Sequence, residues 1–84
     1  MKSIAIIGLG YVGLPLAVEF GKKYQTTGFD VSRMRISQLK KFIDVTGEVD
    51  KKNLKKSKKL SFSFNQKSIK NCNIFIITVP TPIN

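Results

Sequence analysis

The chain has 84 residues, with 15 Lys and Arg against 5 Asp and Glu, a net charge of +10, one cysteine and no histidine. A single cysteine excludes an internal disulfide framework, and without histidine no zinc-type ligand spacing exists. A chain of this size buries only about 60% of its unfolded surface, so it reads either as a free-standing small domain or as a piece of a longer chain.

Ser3 to Ile7 is a short isoleucine-rich run of the kind found in parallel strands covered on both faces. Lys2 followed by an uncharged stretch to Val18 resembles a signal peptide. Its glycines, the absence of an A-x-A site, and a length below the roughly 20 residues of a bilayer span argue against secretion and membrane insertion. Directly after the run comes Gly8-Leu9-Gly10-Tyr11-Val12-Gly13, a complete G-x-G-x-x-G. A first helix is expected from Val12 to about Lys23, with Val12, Leu16 and Phe20 facing the sheet. Pro15 is tolerated only near its first turn.

Thr26 to Asp30 reads as the second strand, ending on an acid about 20 residues beyond the glycines. Ser32 is placed to cap a second helix, Arg33 to about Phe42, with Met34, Ile36, Leu39 and Ile43 as its apolar side. A loop around Gly47 follows, then a short lysine-rich helix from Lys51 to Ser57, capped by Asp50, with only Leu54 to bury. Leu60 to Phe64 alternates apolar residues with serine and reads as a half-exposed strand. Gln66 to Asn71 is a short connection. Asn73 to Val79 is a fourth strand whose unbroken Ile74-Phe75-Ile76-Ile77 reads as central. The expected fold is α/β: a Rossmann-like parallel sheet of about four strands, order 3-2-1-4, with flanking helices and a cleft between the first and fourth strands.

A glycine hexamer between strand and helix, with a downstream acid, is the dinucleotide-binding pattern in its structural context. Gly8 makes the tight turn, Gly10 admits the pyrophosphate, and Gly13 lets the helix pack on the strand. Tyr11 and Val12 contribute through backbone or packing. Asp30 is placed to accept hydrogen bonds from the adenosine ribose, which favours NAD over NADP. Arg33 and Arg35 stand nearby; they fit a 2′-phosphate contact, a contact along the adenosine, or a plain helix start. Thr81, in Thr78-Val79-Pro80-Thr81-Pro82, lies at the strand edge that borders the cleft. Cys72 has no neighbour that would activate it and reads as incidental.

The lysine run Lys51, Lys52, Lys55, Lys56, Lys58 and Lys59 has no interleaved aromatics, which weakens a nucleic-acid reading in favour of a solvated helix face. A nucleotide-sensing domain or a different NAD(P)-dependent dehydrogenase would share the same glycine turn.

Ile6 to Ala17, with Tyr11-Val12 inside the glycines and Leu14-Pro15 after them, resembles the opening of the UDP-glucose/GDP-mannose dehydrogenases. Gly28-Phe29-Asp30 and Val79-Pro80-Thr81-Pro82 fit the same family. Ala17 to Lys22 and Val79 to Ile83 are similar to its UDP-N-acetyl-hexosamine 6-dehydrogenases of capsule and O-antigen synthesis. The resemblance implies oxidation of a UDP-sugar C6 alcohol to a carboxylate with reduction of two NAD, in a cytoplasmic, homo-oligomeric full-length enzyme. It implies cofactor contacts at Gly8, Gly10, Tyr11, Val12, Gly13, Asp30, Arg35 and Thr81. The catalytic cysteine and lysine and the sugar pocket of such enzymes lie downstream, so this chain by itself is expected to bind NAD but not to oxidise sugar.

Overall fold

A computed structural model describes residues 2–78. Strand β1 (Ser3–Ile7) leads into helix α1 (Gly13–Gly21), then β2 (Gln25–Phe29), α2 (Arg33–Lys40), α3 (Lys51–Lys56), β3 (Leu60–Ser63), a single 3₁₀ turn (Gln66–Ile69) and β4 (Ile74–Ile77). The sheet runs β3-β2-β1-β4 with every pairing parallel. Ala5 in β1 lies opposite Thr27 of β2 on one side and Phe75 of β4 on the other. The expected sheet and strand order are therefore present. Thr81, Pro80 and Pro82 lie outside the described residues.

Most of the core lies on one face of the sheet. Ile4 and Ile6 of β1 pack there with Leu14, Ala17 and Val18 of α1, Ile36 and Leu39 of α2, and Leu54 of α3. The opposite face carries a thinner cluster of Ala5, Phe29 and Ile69, with Ile7 and Cys72 against it. Two short helices are started by side chains. Ser32 Oγ accepts from the Arg35 amide at the head of α2, and Asp50 from the Asn53 amide at the head of α3. After α2 the Phe42 amide returns to the Leu39 carbonyl and the Ile43 amide to the Gln38 carbonyl, with Phe42 at φ 62°. This is a Schellman closure with a phenylalanine where glycine is usual. Ser57, just beyond α3, is buried and donates its hydroxyl to the Val18 carbonyl (2.7 Å), tying α3 to α1.

The structure corrects the expected inner face of α1. Val12 is exposed, and Leu16 and Phe20 are only half-buried; the buried stripe is Gly13, Leu14, Ala17, Val18 and Gly21. The reason is steric: Gly13, Ala17 and Gly21 recur every four residues and let the helix axis approach the sheet. Met34 of α2 and Ile43 beyond its end are likewise exposed, and Ile36 and Leu39 carry the burial of α2. Strand β4, expected in the centre, is an outer strand among the described residues, with Phe75 49% and Ile77 67% exposed. All six residues of the lysine run are exposed.

Candidate functional site

The glycine loop sits at the carboxyl ends of the parallel strands, between the end of β1 and the head of α1. Gly8 has φ 97°, a backbone conformation that side chains rarely adopt, which lets the chain leave β1 sharply. Its amide donates to the Phe29 carbonyl at the end of β2 (2.9 Å). A Cβ on Gly13 would overlap the Gly8 carbonyl oxygen and Thr78 Oγ1, whereas a Cβ on Gly10 would meet nothing within 4 Å. Two glycines of one motif thus answer to different demands: Gly13 to packing, and Gly10 to open space above the loop.

Three side chains from distant segments hold this loop. Asp30, immediately after β2, accepts from the Leu9 amide through Oδ2 (2.9 Å) and from the Ser32 amide through Oδ1 (3.0 Å). Arg35 donates from Nε and Nη2 to the Leu9 carbonyl (2.9 and 2.6 Å). Thr78, just past β4, places its hydroxyl 2.6 Å from the Gly8 carbonyl oxygen and 3.2 Å from that of Ile7. Leu9 itself is buried, so its side chain anchors the loop while its two backbone polar groups are each held by an ionic partner. Tyr11 and Val12 are exposed at the loop's outer side. The first turn of α1 has no side-chain cap and no acidic residue, and a helix start of this kind suits an anion.

Arg35 also donates from Nη1 to Asp44 Oδ1 (2.7 Å), in an ion pair whose carboxylate side chain is 0% exposed. Asp44 lies in the loop after α2, where the sequence pattern points to no function. It accepts further bonds from the Thr46 amide and hydroxyl and from the Glu48 and Val49 amides. Burial pushes its carboxyl up, but these donors, the Thr46 hydroxyl and Arg35 foremost, outweigh burial and hold it down at about 2. The only signal for it in the sequence is an acid shortly before a Thr-Gly turn, a pattern that fits any tight loop.

Beside Asp30, a cavity of about 520 Å³ opens at the carboxyl ends of β2 and β3, lined in part by Phe29, Val31, Arg33, Phe64 and Asn65. The Arg33 guanidinium lies 4.9 Å from the Phe64 ring centroid. Another cavity of about 430 Å³, between α2, α3 and β3, lies away from the glycine loop.

Residues 2–84 match the family model described as the UDP-glucose/GDP-mannose dehydrogenase family, NAD binding domain. The chain belongs to that family. It is 57% identical over 81 residues to the UDP-N-acetyl-D-glucosamine 6-dehydrogenase of Pseudomonas aeruginosa, covering 96% of this chain and 19% of that protein. It is 45% identical over 83 residues to Protein CapL of Staphylococcus aureus, with 99% and 19% covered. Among solved structures, UDP-D-ManNAc dehydrogenase from Pyrococcus horikoshii superimposes with a TM-score of 0.90 at 32% identity, over 99% of this chain and 21% of that one. The chain therefore spans about a fifth of the length of the curated relatives it matches. The matched region is the NAD-binding domain, and NAD is its cofactor. Among the described residues no helix is long and apolar enough to cross a membrane.

Proposed function

We propose that this chain provides the adenosine- and pyrophosphate-binding part of an NAD-dependent UDP-sugar 6-dehydrogenase that makes precursors of capsule or related surface polysaccharide in the cytoplasm. The observation that carries the reading is the Leu9 segment: a loop with open space over Gly10, backed by an uncapped helix start and by Asp30 at the end of β2. The 57% identity to a UDP-N-acetyl-D-glucosamine 6-dehydrogenase supports the reaction class.

The residues fit the cofactor. The amides of Gly10 to Gly13 and the dipole of α1 would hold the pyrophosphate, with Tyr11 and Val12 forming the loop's outer wall. Asp30 would receive the ribose hydroxyls while keeping Leu9 in place, and the cavity at Phe29, Val31 and Phe64 has room for the adenine. Arg35 serves the site by gripping the Leu9 carbonyl. Thr81, outside the described residues, would be a further cofactor contact. Bound NAD would supply the hydride acceptor for oxidation of a sugar C6 alcohol. The residues that bind UDP-sugar and carry out that oxidation belong to other parts of a homo-oligomeric full-length enzyme.

Titration calorimetry with NAD tests the reading. The chain is expected to bind NAD weakly, and Asp30→Ala is expected to lower that affinity without improving NADP. Unchanged NAD affinity in Asp30→Ala would overturn the ribose assignment. Mixing the chain with UDP-N-acetylglucosamine and NAD is expected to give no NADH, and NADH formation would overturn the assignment of catalysis to other segments.

A further inference from the structure

Away from the cofactor edge, α3 is too short to close the layer over the sheet. Its six residues bring a single apolar side chain, Leu54, into the core. The space left between α2, α3 and β3 is the cavity of about 430 Å³. Leu39, Leu54 and Phe62 give it apolar walls, and no acidic residue lines it. Lys40, Lys55 and Lys58 stand around it, all three exposed. Among the described residues none of the three is ion-paired; the pairs present are Lys22–Glu19 and Arg35–Asp44. Like charges around one concavity repel each other, and a bound anion would offset that repulsion. Phe42 carries an independent observation. It holds φ 62° at the end of α2, a backbone conformation disfavoured for any residue with a Cβ. Its ring lines this cavity, with Lys55 Nζ 5.6 Å from the ring centroid. Backbone strain of this kind tends to be kept where the side chain it presents has a use.

We propose that this cavity is a second ligand site, separate from the glycine loop, for a single-chain amphiphilic anion: an acyl or alkyl chain bearing one carboxylate or phosphate head. The chain lies against Leu54, Phe62 and the Phe42 ring, and the head is held among Lys40, Lys55 and Lys58. The volume falls in the range of about 300 to 1,000 Å³ typical of small-ligand clefts, which pair apolar walls with a few polar groups. Lysine sets the selectivity. Ammonium groups act as point charges and read the charge of a head group without demanding the planar, bidentate shape that a guanidinium selects. A wholly polar anion such as inorganic phosphate gains nothing from the apolar walls, and a neutral chain gains nothing from the lysines. The proposal does not depend on the reading of the cofactor site.

The test is a magnetic-resonance titration of the isotope-labelled chain with decanoate and, separately, with decyl phosphate, both below their micelle concentrations. Amide shifts are expected at Leu39, Phe42, Leu54 and Phe62 and not at Gly10 or Gly13. Binding of either amphiphile there supports the site, and the tighter of the two identifies the head. No shifts with both, or shifts centred on the glycine loop or on Phe75 and Ile77, would overturn the proposal. Decanol has the same chain without the charge and should bind more weakly than decanoate; equal affinity would show that the lysines do not read the head. Lys55→Gln combined with Lys58→Gln should weaken decanoate by about fivefold to tenfold, the scale of two exposed ion pairs. Lys51→Gln combined with Lys52→Gln removes the same charge outside the cavity and should leave the affinity nearly unchanged. Equal losses in the two pairs would reduce the effect to net charge and sink the proposal. Phe42→Gly suits the backbone at φ 62° and removes the ring. It should keep the fold and weaken both amphiphiles, and unchanged affinity would count against the site. Saturating NAD should leave decanoate binding as it was; displacement by NAD would assign the anion to the cofactor loop instead.

Discussion

Gly13 lies directly against the Gly8 carbonyl, leaving no volume for a Cβ between them, while Gly10 three residues earlier faces open space. The two positions should therefore separate stability from binding. Gly13→Ala forces the head of α1 off the loop and should cost about 3 kcal/mol or more. Gly10→Ala should stay within about 0.5 kcal/mol of wild type yet weaken NAD, because the methyl group stands where the pyrophosphate approaches. Urea unfolding and NAD titration of both variants check this. Equal stability losses in the two would refute the division of labour.

Thr78 links β4 to the loop through the Gly8 carbonyl (2.6 Å). Thr78→Val keeps the shape and removes the donor. It should cost about 1 kcal/mol and lower NAD affinity a few-fold by loosening the turn. Hydrogen exchange at the Gly8 and Leu9 amides should speed up in the variant, and unchanged exchange there would contradict the link.

Asp44 gives the fold an acid-sensitive contribution. Its carboxyl titrates at about 2 in the folded chain, below the value of about 3.9 expected when unfolded. A lowered folded value stabilises the fold above the unfolded value, and this stabilisation is lost as pH falls through about 2. At neutral pH it amounts to about 2 kcal/mol, on the order of 1.4 kcal/mol for every tenfold difference in proton affinity between the two states. The gap in unfolding free energy between wild type and Asp44→Asn should be wide at about pH 6 and narrow toward about pH 2.5. A gap independent of pH would show that the carboxylate charge contributes nothing.

Ser57 is one of two buried polar residues among those described, and its hydroxyl meets the Val18 carbonyl of α1 at 2.7 Å. Ser57→Ala should destabilise by about 1 kcal/mol and leave NAD affinity unchanged, since the bond lies away from the glycine loop. Thermal unfolding together with a binding isotherm tests both halves.

The strands, the glycine loop and Asp30 are legible in the sequence because each depends on local pattern: an apolar run, a glycine spacing, an acid at a strand end. The inner face of α1 is not. Apolar spacing favours Val12, Leu16 and Phe20, but the helix approaches the sheet through its smallest residues, Gly13, Ala17 and Gly21, which hydrophobic periodicity counts for little. Asp44 is hidden for another reason. Its partner Arg35 is nine residues away and its other donors belong to its own loop, most of them backbone amides, so no residue pattern marks the site.

Among the described residues, β4 has no strand on its far side, and the edge beside exposed Phe75 and Ile77 is a template on which another copy can add. A net charge of +10 keeps such edges apart. Charge repulsion has a range of only about 10 Å at 0.1 M salt and about 3 Å at 1 M. Raising the salt concentration should thus promote pairing at this edge, and low ionic strength should oppose it.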